Sequence, residues 1–261
     1  MTECLGPKSA LVGQARLLAR DRLERASSGL AVFEGVRLGE EALAAGLAVE
    51  YVLYSDQLTQ RERGAALLSA LQGAGIRAYR CTPEALDRAA DTETPQGVVG
   101  VFQPRTWSLD DIGEGLVIVL ENLQDPGNMG TVIRSLEGLG GAGAAVVGGV
   151  DPYNPKVVRG AMGSLFRLPV VKGEIGPVLR GLQQRGWRIY TADAHGPFLP
   201  WTADLRGRAA VVIGNEGAGP SDEARSLSGG VIRIPMEGRT ESLNASVAAS
   251  LLVYESLRQR S

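Results

Sequence analysis

The stretch LVIVLENLQDPGNMGTVIRS, residues 116–135, decides how this chain is read. Its opening run, LVIVL at 116–120, suits a strand buried on both faces of a parallel sheet. The run then meets Asp125, Pro126, Gly127, Asn128 and Gly130, residue types that favour turns and helix caps. A helical pattern over 130–137 follows and carries Arg134. Strand, polar loop and helix in this order predict an α/β fold, in which ligands sit beyond the carboxyl ends of the strands. Capping alone accounts for Asp125 and Asn128, and an ion pair within its own domain is the structural alternative for Arg134.

Downstream, AAVVG (144–148), WRIYT (187–191), AAVVI (209–213) and VIRI (231–234) repeat the apolar run. Helical segments between them, and a last helix from about 241 to 259, complete a doubly covered parallel sheet. On that helix Leu243, Val247, Leu251 and Tyr254 recur at helical spacing and predict a stripe facing the core. Two further polar loops follow strands. VVIGNEGAGPSDEA (211–224) sets Glu216 between Gly214 and Gly217, and IPMEGRTESLNAS (234–246) ends a strand at Pro235 and opens the last helix with Ser242, Leu243 and Asn244. In a parallel sheet the three loops converge on one edge and predict a small-molecule pocket with backbone recognition. Gly138, Gly140 and Gly143 fit the dinucleotide spacing G-x-G-x-x-G, but they end a helix and precede a strand, the reverse of what a pyrophosphate site needs.

Upstream, LAVFE (30–34), VEYVLYS (49–55), IRAYR (76–80) and GVVGVF (97–102) alternate with helical patterns at 35–46, 61–72 and 82–90. They predict a small α/β sandwich domain over residues 1–105, joined through a Pro- and Gly-containing linker at 103–115 to a second domain, 116–261. An opening helix around 8–25 carries Arg16, Arg20, Arg22 and Arg25, a cluster that reads as a solvated face or as an RNA contact.

Composition narrows the function classes. The 261 residues hold 27 Lys plus Arg against 29 Asp plus Glu, so no global basic field advertises nucleic acid, and RNA contact has to come from local patches. Cys4, Cys81 and His195 are the whole supply of thiol and imidazole, with no metal-ligand spacing and no disulfide framework. No run is long enough for a membrane span and the N-terminus has no secretion pattern, so a cytoplasmic protein is expected.

The three polar segments, DPGNMG…R, GNEGAG and IPM…ESLNASVAA, in that order, resemble the motifs of the SPOUT class of RNA methyltransferases, SpoU (TrmH-like) branch. The resemblance covers 116–258, and FEGVRLGEEALAAG with TPQGVVGVF is similar to the RNA substrate-binding domain often fused to it. It implies a parallel-sheet domain with a trefoil knot, a homodimer, and transfer of methyl from S-adenosylmethionine to a ribose 2′-hydroxyl, with ribosomal RNA favoured as substrate. By the same resemblance Arg134 and Asn128, with Glu216, Ser242 and Asn244, form the catalytic set. Gly214, Asn215, Gly217, Ile234, Met236 and Leu243 hold the donor, and no metal takes part. Arg16, Arg20, Lys156, Arg159 and Arg167, with Lys172 beside them in sequence, are the candidate RNA contacts. A guanidinium stays protonated in proteins, so Arg134 is expected to stabilise the developing alkoxide while phosphate, water or another side chain takes the proton. His195 is expected to have no role. Departures from the family pattern at Leu136, Glu137, Leu139, Ala161 and Met162 bear on substrate positioning. Alternatives are an RNA-binding or assembly factor that has lost methyl transfer, and an antibiotic-resistance rRNA methyltransferase.

Overall fold

A computed structural model describes residues 4–239 and 242–261. The chain forms two compact units, one made of residues up to Arg105 together with Tyr153–Phe166, the other of Thr106–Pro152 with Arg167–Ser261. Residues 153–166 thus count with the first unit although they follow the 103–115 linker in sequence.

The first unit contains α1 (Ala10–Arg20), α2 (Arg22–Ser28), β1 (Ala31–Glu34), α3 (Val36–Ala44), β2 (Ala48–Tyr54), α4 (Asp56–Thr59), α5 (Glu62–Gly73), β3 (Ala78–Arg80), α6 (Pro83–Ala89) and β4 (Val98–Gln103). Its sheet has the order β1-β4-β2-β3, with β2 and β3 parallel and the other pairs antiparallel. Alternation along β1 sends Val32 into a cluster with Val12 and Leu18 of α1 and Leu86 of α6. Phe33 meets Phe102, and Phe166, in the segment that returns later in the chain, completes an edge-on aromatic group with centroids 5.4 Å from Phe102 and 6.5 Å from Phe33.

The expected single opening helix is two helices. Asp21 is extended and its side chain accepts from the Leu23 amide at 2.8 Å, capping α2. The arginine cluster breaks up with it: Arg25 is buried and donates to the Leu18 carbonyl at 2.7 Å, whereas Arg20 is exposed and Arg16 half-buried on α1.

The second unit contains β5 (Leu116–Glu121), α7 (Pro126–Gly138), β6 (Gly143–Val147), β7 (Val170–Gly173), α9 (Ile175–Gln184), β8 (Arg188–Ala192), β9 (Ala209–Ile213), α10 (Asp222–Ser226), β10 (Val231–Ile232) and α11 (Ala245–Arg260), while α8 (Pro155–Ala161) lies in the first. All six strands are parallel, in the order β10-β8-β9-β5-β6-β7. β5 is buried along its whole length, as a central strand covered on both faces must be. One face packs Val117, Val119 and Val212 against Val178, Leu179 and Leu182 of α9, and on the domain's other side α11 packs against α7 and β5.

The last helix overturns the expected stripe. Val247, Leu251 and Tyr254 are 46%, 44% and 57% exposed, and the face turned inward is made of Ala245, Ser246, Ala249, Leu252, Val253 and Ser256. Small side chains let α11 lie close to α7, where Ser250 Oγ and Ser135 Oγ are 2.8 Å apart. The part of the expected helix at Glu241 lies outside the described residues.

Candidate active site

Parallel strands bring their carboxyl ends to one edge, and at the ends of the neighbours β10, β8 and β9 lies a cavity of about 290 Å³. Gly214, Asn215, Gly217, Ile234, Met236 and Leu243, the six residues expected to hold the donor, all line it, together with Glu216 and Ser242. Its apolar wall is Ile213, Ile232, Ile234, Met236 and Leu243, and its charged side chains are Asp193 and Glu216, with no Lys or Arg among the described lining residues. Such a pocket offers strand-end backbone and apolar surface to a flat heterocycle, and, since Asp193 is ion-paired with Arg225, the negative charge it offers a cation is that of Glu216.

The loop after β9 is built to hold a tight shape. Asn215 Oδ1 accepts from the amides of Gly217 at 2.9 Å and Ala218 at 3.3 Å, and the Gly219 amide donates to the Asn215 carbonyl at 2.8 Å. Asn215 Nδ2 reaches the Asn122 carbonyl at 3.2 Å, tying this loop to the one after β5. The buried carboxylate of Glu121 accepts from the Ser221 amide at 2.9 Å and fixes the other end. A Cβ on Gly214 would stand 2.1 Å from the backbone of Gly219 and Pro220, so only glycine fits at the crossing.

The three expected loops do meet, through side chains. Asp125 caps α7 by accepting from the Asn128 amide at 2.7 Å, which places Asn128 inside the first turn of the helix. Asn128 Nδ2 donates to Glu216 Oε1 at 3.2 Å, and Asn244 Nδ2 donates to Asn128 Oδ1 at 2.9 Å. Asn244 Oδ1 in turn caps α11, accepting from the amides of Ser246 and Val247 and from Ser246 Oγ. The result is a hydrogen-bonded chain from Asn244 through Asn128 to Glu216, each member supplied by a different one of the three polar segments.

Arg134 is placed otherwise. The helix starts at Pro126, earlier than the expected 130, so Arg134 is more than two turns in and not one turn beyond a loop. Six positions separate it from Asn128, about 120° around the helix, so the two do not share a face. Arg134 is exposed, does not line the cavity, and is paired with no carboxylate among the described residues; the ion-pair alternative is not seen there. Helical side chains lean toward the N-terminus, which aims Arg134 along the ridge of Thr131 and Gly127.

The basic cluster expected at 156–172 is not a patch of unpaired cations. Arg159 pairs with Asp91 at 2.8 Å, Arg167 with Glu137 at 2.5 Å and Lys172 with Asp151 at 3.2 Å, and Arg159 and Arg167 belong to different units. Lys156 alone of the set is exposed without an ion pair among the described residues.

Ala192–His195 line the cavity and were not expected there; His195, 95% exposed in its side chain, stands on its rim beside Asp193. The segment lacks the Gly and Asn clustering of the other loops. Its signal was the end of the strand WRIYT itself, since every strand of a parallel sheet delivers its next residues to the same edge.

Comparison with known proteins fits this geometry. Residues 115–254 match the model of the SpoU rRNA Methylase family, and residues 12–100 match the MRM3-like substrate binding domain. The 23S rRNA (uridine(2479)-2′-O)-methyltransferase of Streptomyces viridochromogenes is 33% identical over 97% of this chain and 91% of its own length. The 23S rRNA (guanosine(2553)-2′-O)-methyltransferase RlmP of Bacillus subtilis is 32% identical over 88% and 90% respectively. Among solved structures, the SpoU methyltransferase AviRb from Streptomyces viridochromogenes, in complex with AdoMet, superposes with a TM-score of 0.89 at 32% identity, covering 97% of this chain and 98% of that one. The AdoMet-bound rRNA methyltransferase from Sinorhizobium meliloti gives 0.85 at 26% identity, with 98% of each chain covered. With a family model spanning more than half its length and relatives of this extent, the chain belongs to the SpoU rRNA methylase family.

Proposed function

We infer that the protein transfers a methyl group from S-adenosylmethionine to a ribose 2′-hydroxyl of ribosomal RNA. The observation that carries this reading is the cavity at the ends of β8, β9 and β10, apolar on one wall, with Glu216 free of any ion pair and no Lys or Arg among the described lining residues, which suits a nucleoside bearing a cationic sulfonium. The relatives act on uridine and on guanosine, and the ribose hydroxyl is common to both, so the site need handle only that group while base choice is made elsewhere.

When bound, S-adenosylmethionine supplies a methyl group already activated by the positive sulfur. The residues of this chain supply alignment and charge. Gly214, Asn215, Gly217, Ile234, Met236 and Leu243 hold the donor; Asn128 and Asn244 keep Glu216 at the cavity mouth. Arg134, unpaired among the described residues, grips an RNA phosphate and stabilises the ribose oxygen as its proton leaves to phosphate or water. The oxygen forms the new bond to methyl, and the sulfur keeps the electron pair of the broken one.

Incubation of the purified protein with S-adenosylmethionine and ribosomal RNA should give one 2′-O-methylated nucleotide, mapped by mass spectrometry of nuclease fragments. Donor binding without any methylated product would favour an RNA-binding factor that has lost catalysis.

A homodimer is part of the same reading. Val247, Leu251 and Tyr254 form an apolar stripe on α11 that a monomer leaves in water. Light scattering should give twice the 27.5 kDa chain mass, and Leu251→Asp should return it toward the monomer. A wild type that stays at 27.5 kDa at micromolar concentration would remove the dimer from the reading. The trefoil knot implied by the family resemblance belongs to the same reading. Among the described residues no helix is long and apolar enough to cross a membrane, and no group of three or more His, Cys, Asp or Glu is placed to hold a metal. We propose a cytoplasmic site of action as part of the same reading.

A further inference from the structure

We propose that Arg225 and Asp193 form a clamp that fixes the separation of the two loops walling the donor cavity, and thereby sets its affinity for S-adenosylmethionine. This positioning role rests on the methyl-donor reading above and involves residues outside the three polar motifs.

The cavity is walled by Ala192–His195 after β8 and by 213–220 after β9. One guanidinium holds both: Arg225 Nη2 donates to Asp193 Oδ2 at 2.6 Å, and Arg225 Nε donates to the Pro220 carbonyl at 3.2 Å. Asp193 Oδ1 is engaged from the other side, accepting from the His195 amide at 2.9 Å and facing His195 Nδ1 at 3.4 Å. The carboxylate therefore joins its own loop to α10.

Arg225 works from a fixed base. Ser221, which caps α10 by accepting from the Ala224 amide at 3.1 Å, is itself held by Glu121 at the end of β5. Beneath the pair runs Gly219, in the left-handed region at φ 67, where a Cβ would sit 3.4 Å from Arg225 Nη2 and 3.7 Å from Asp193 Oδ2. The loop passes directly under the ion pair, so any change in the pair moves the cavity wall.

The chemistry favours a persistent contact. Asp193 is 20% exposed, and the Arg225 hydrogen bond, followed by that from the His195 amide, holds its carboxyl below the usual carboxylate range. It stays ionised at neutral pH. A planar fork is needed to reach Pro220 and Asp193 together; an ammonium keeps the charge but not both bonds.

The test is calorimetric titration with S-adenosylmethionine, paired with steady-state methylation. In Arg225→Ala the donor Kd and KM should rise by about tenfold or more, the scale of a lost charge-assisted contact. At saturating donor, kcat and the KM for RNA should stay within about twofold, since neither residue belongs to the set proposed to act on the ribose oxygen or to grip RNA. Arg225→Lys should fall between, Asp193→Asn should match Arg225→Ala, and the double variant should be no worse than the worse single one. Should Arg225→Ala fail to fold, the near-isosteric Asp193→Asn decides on the same readings. Equal donor affinity in wild type and variants overturns the clamp alone. A parallel fall in kcat and RNA affinity makes the pair a general structural support and also overturns it. A wild type that binds no donor overturns the methyl-donor reading, and the clamp with it.

Discussion

Arg134→Ala is expected to lower single-turnover methylation by about 10² to 10³, the usual loss for one well-placed electrostatic contact in a transition state. Donor affinity should not change, because Arg134 lies outside the cavity lining. Fold stability should change little for an exposed helical residue with no ion pair among the described residues. Arg134→Lys keeps the charge and loses the bidentate geometry, so it too should be severely impaired if phosphate and ribose oxygen are gripped together. Rapid-quench measurement with saturating donor separates the chemical step from product release. A rate within about threefold of wild type, a difference under about 1 kcal/mol, would assign the chemistry to another group.

Gly214→Ala should weaken donor binding by about tenfold to a hundredfold, the equivalent of the roughly 1–3 kcal/mol that overpacking costs. The added methyl would meet backbone atoms of Gly219 and Pro220 at 2.1 Å, and backbone cannot turn aside as a side-chain tip can. The loop carrying Asn215, Glu216 and Gly217 must then move as a body, and with it the link from Glu216 to Asn128. Calorimetry on variants matched for melting temperature checks it, with Gly13→Ala as a control, since a Cβ at Gly13 meets nothing within 4 Å. Unchanged affinity in Gly214→Ala would mean that the crossing of these loops does not shape the donor site.

The central strands were legible because four or five successive apolar residues have no other economical place than a doubly covered sheet. β7 was not: it is four residues long, and Lys172 and Gly173 in its second half are exposed. The start of α7 was signalled by Asp125 before Pro126, a cap followed by the one residue favoured at the first helical position, yet the turn-like composition of 125–130 concealed it. On α11, periodicity marked an apolar face but not which face meets the core. Alanine and serine allow closer helix contact than leucine, so the inward face combines Ala245, Ser246, Ala249 and Ser256 with Leu252 and Val253 and leaves Val247, Leu251 and Tyr254 outside. The polar motifs named, one by one, residues that the structure brings to the lining of a single cavity. The clamp escaped because Asp193 and Arg225 are 32 residues apart and carry no local pattern.

The aromatic group completed by Phe166 has a consequence for the order in which the protein is made. Chains emerge N-terminus first, and domains generally fold as units as they appear. Here the first sheet is complete at Gln103, but Phe102 lacks the ring 5.4 Å away, and Asp91 its partner Arg159, until the ribosome has passed residue 166. In that interval β5, α7 and β6 have been made without β9, the other strand that flanks β5. The core of the first unit therefore cannot be finished before the second sheet is under way, and a pause in translation between residues 105 and 153 would hold an incomplete hydrophobic face open to chaperones.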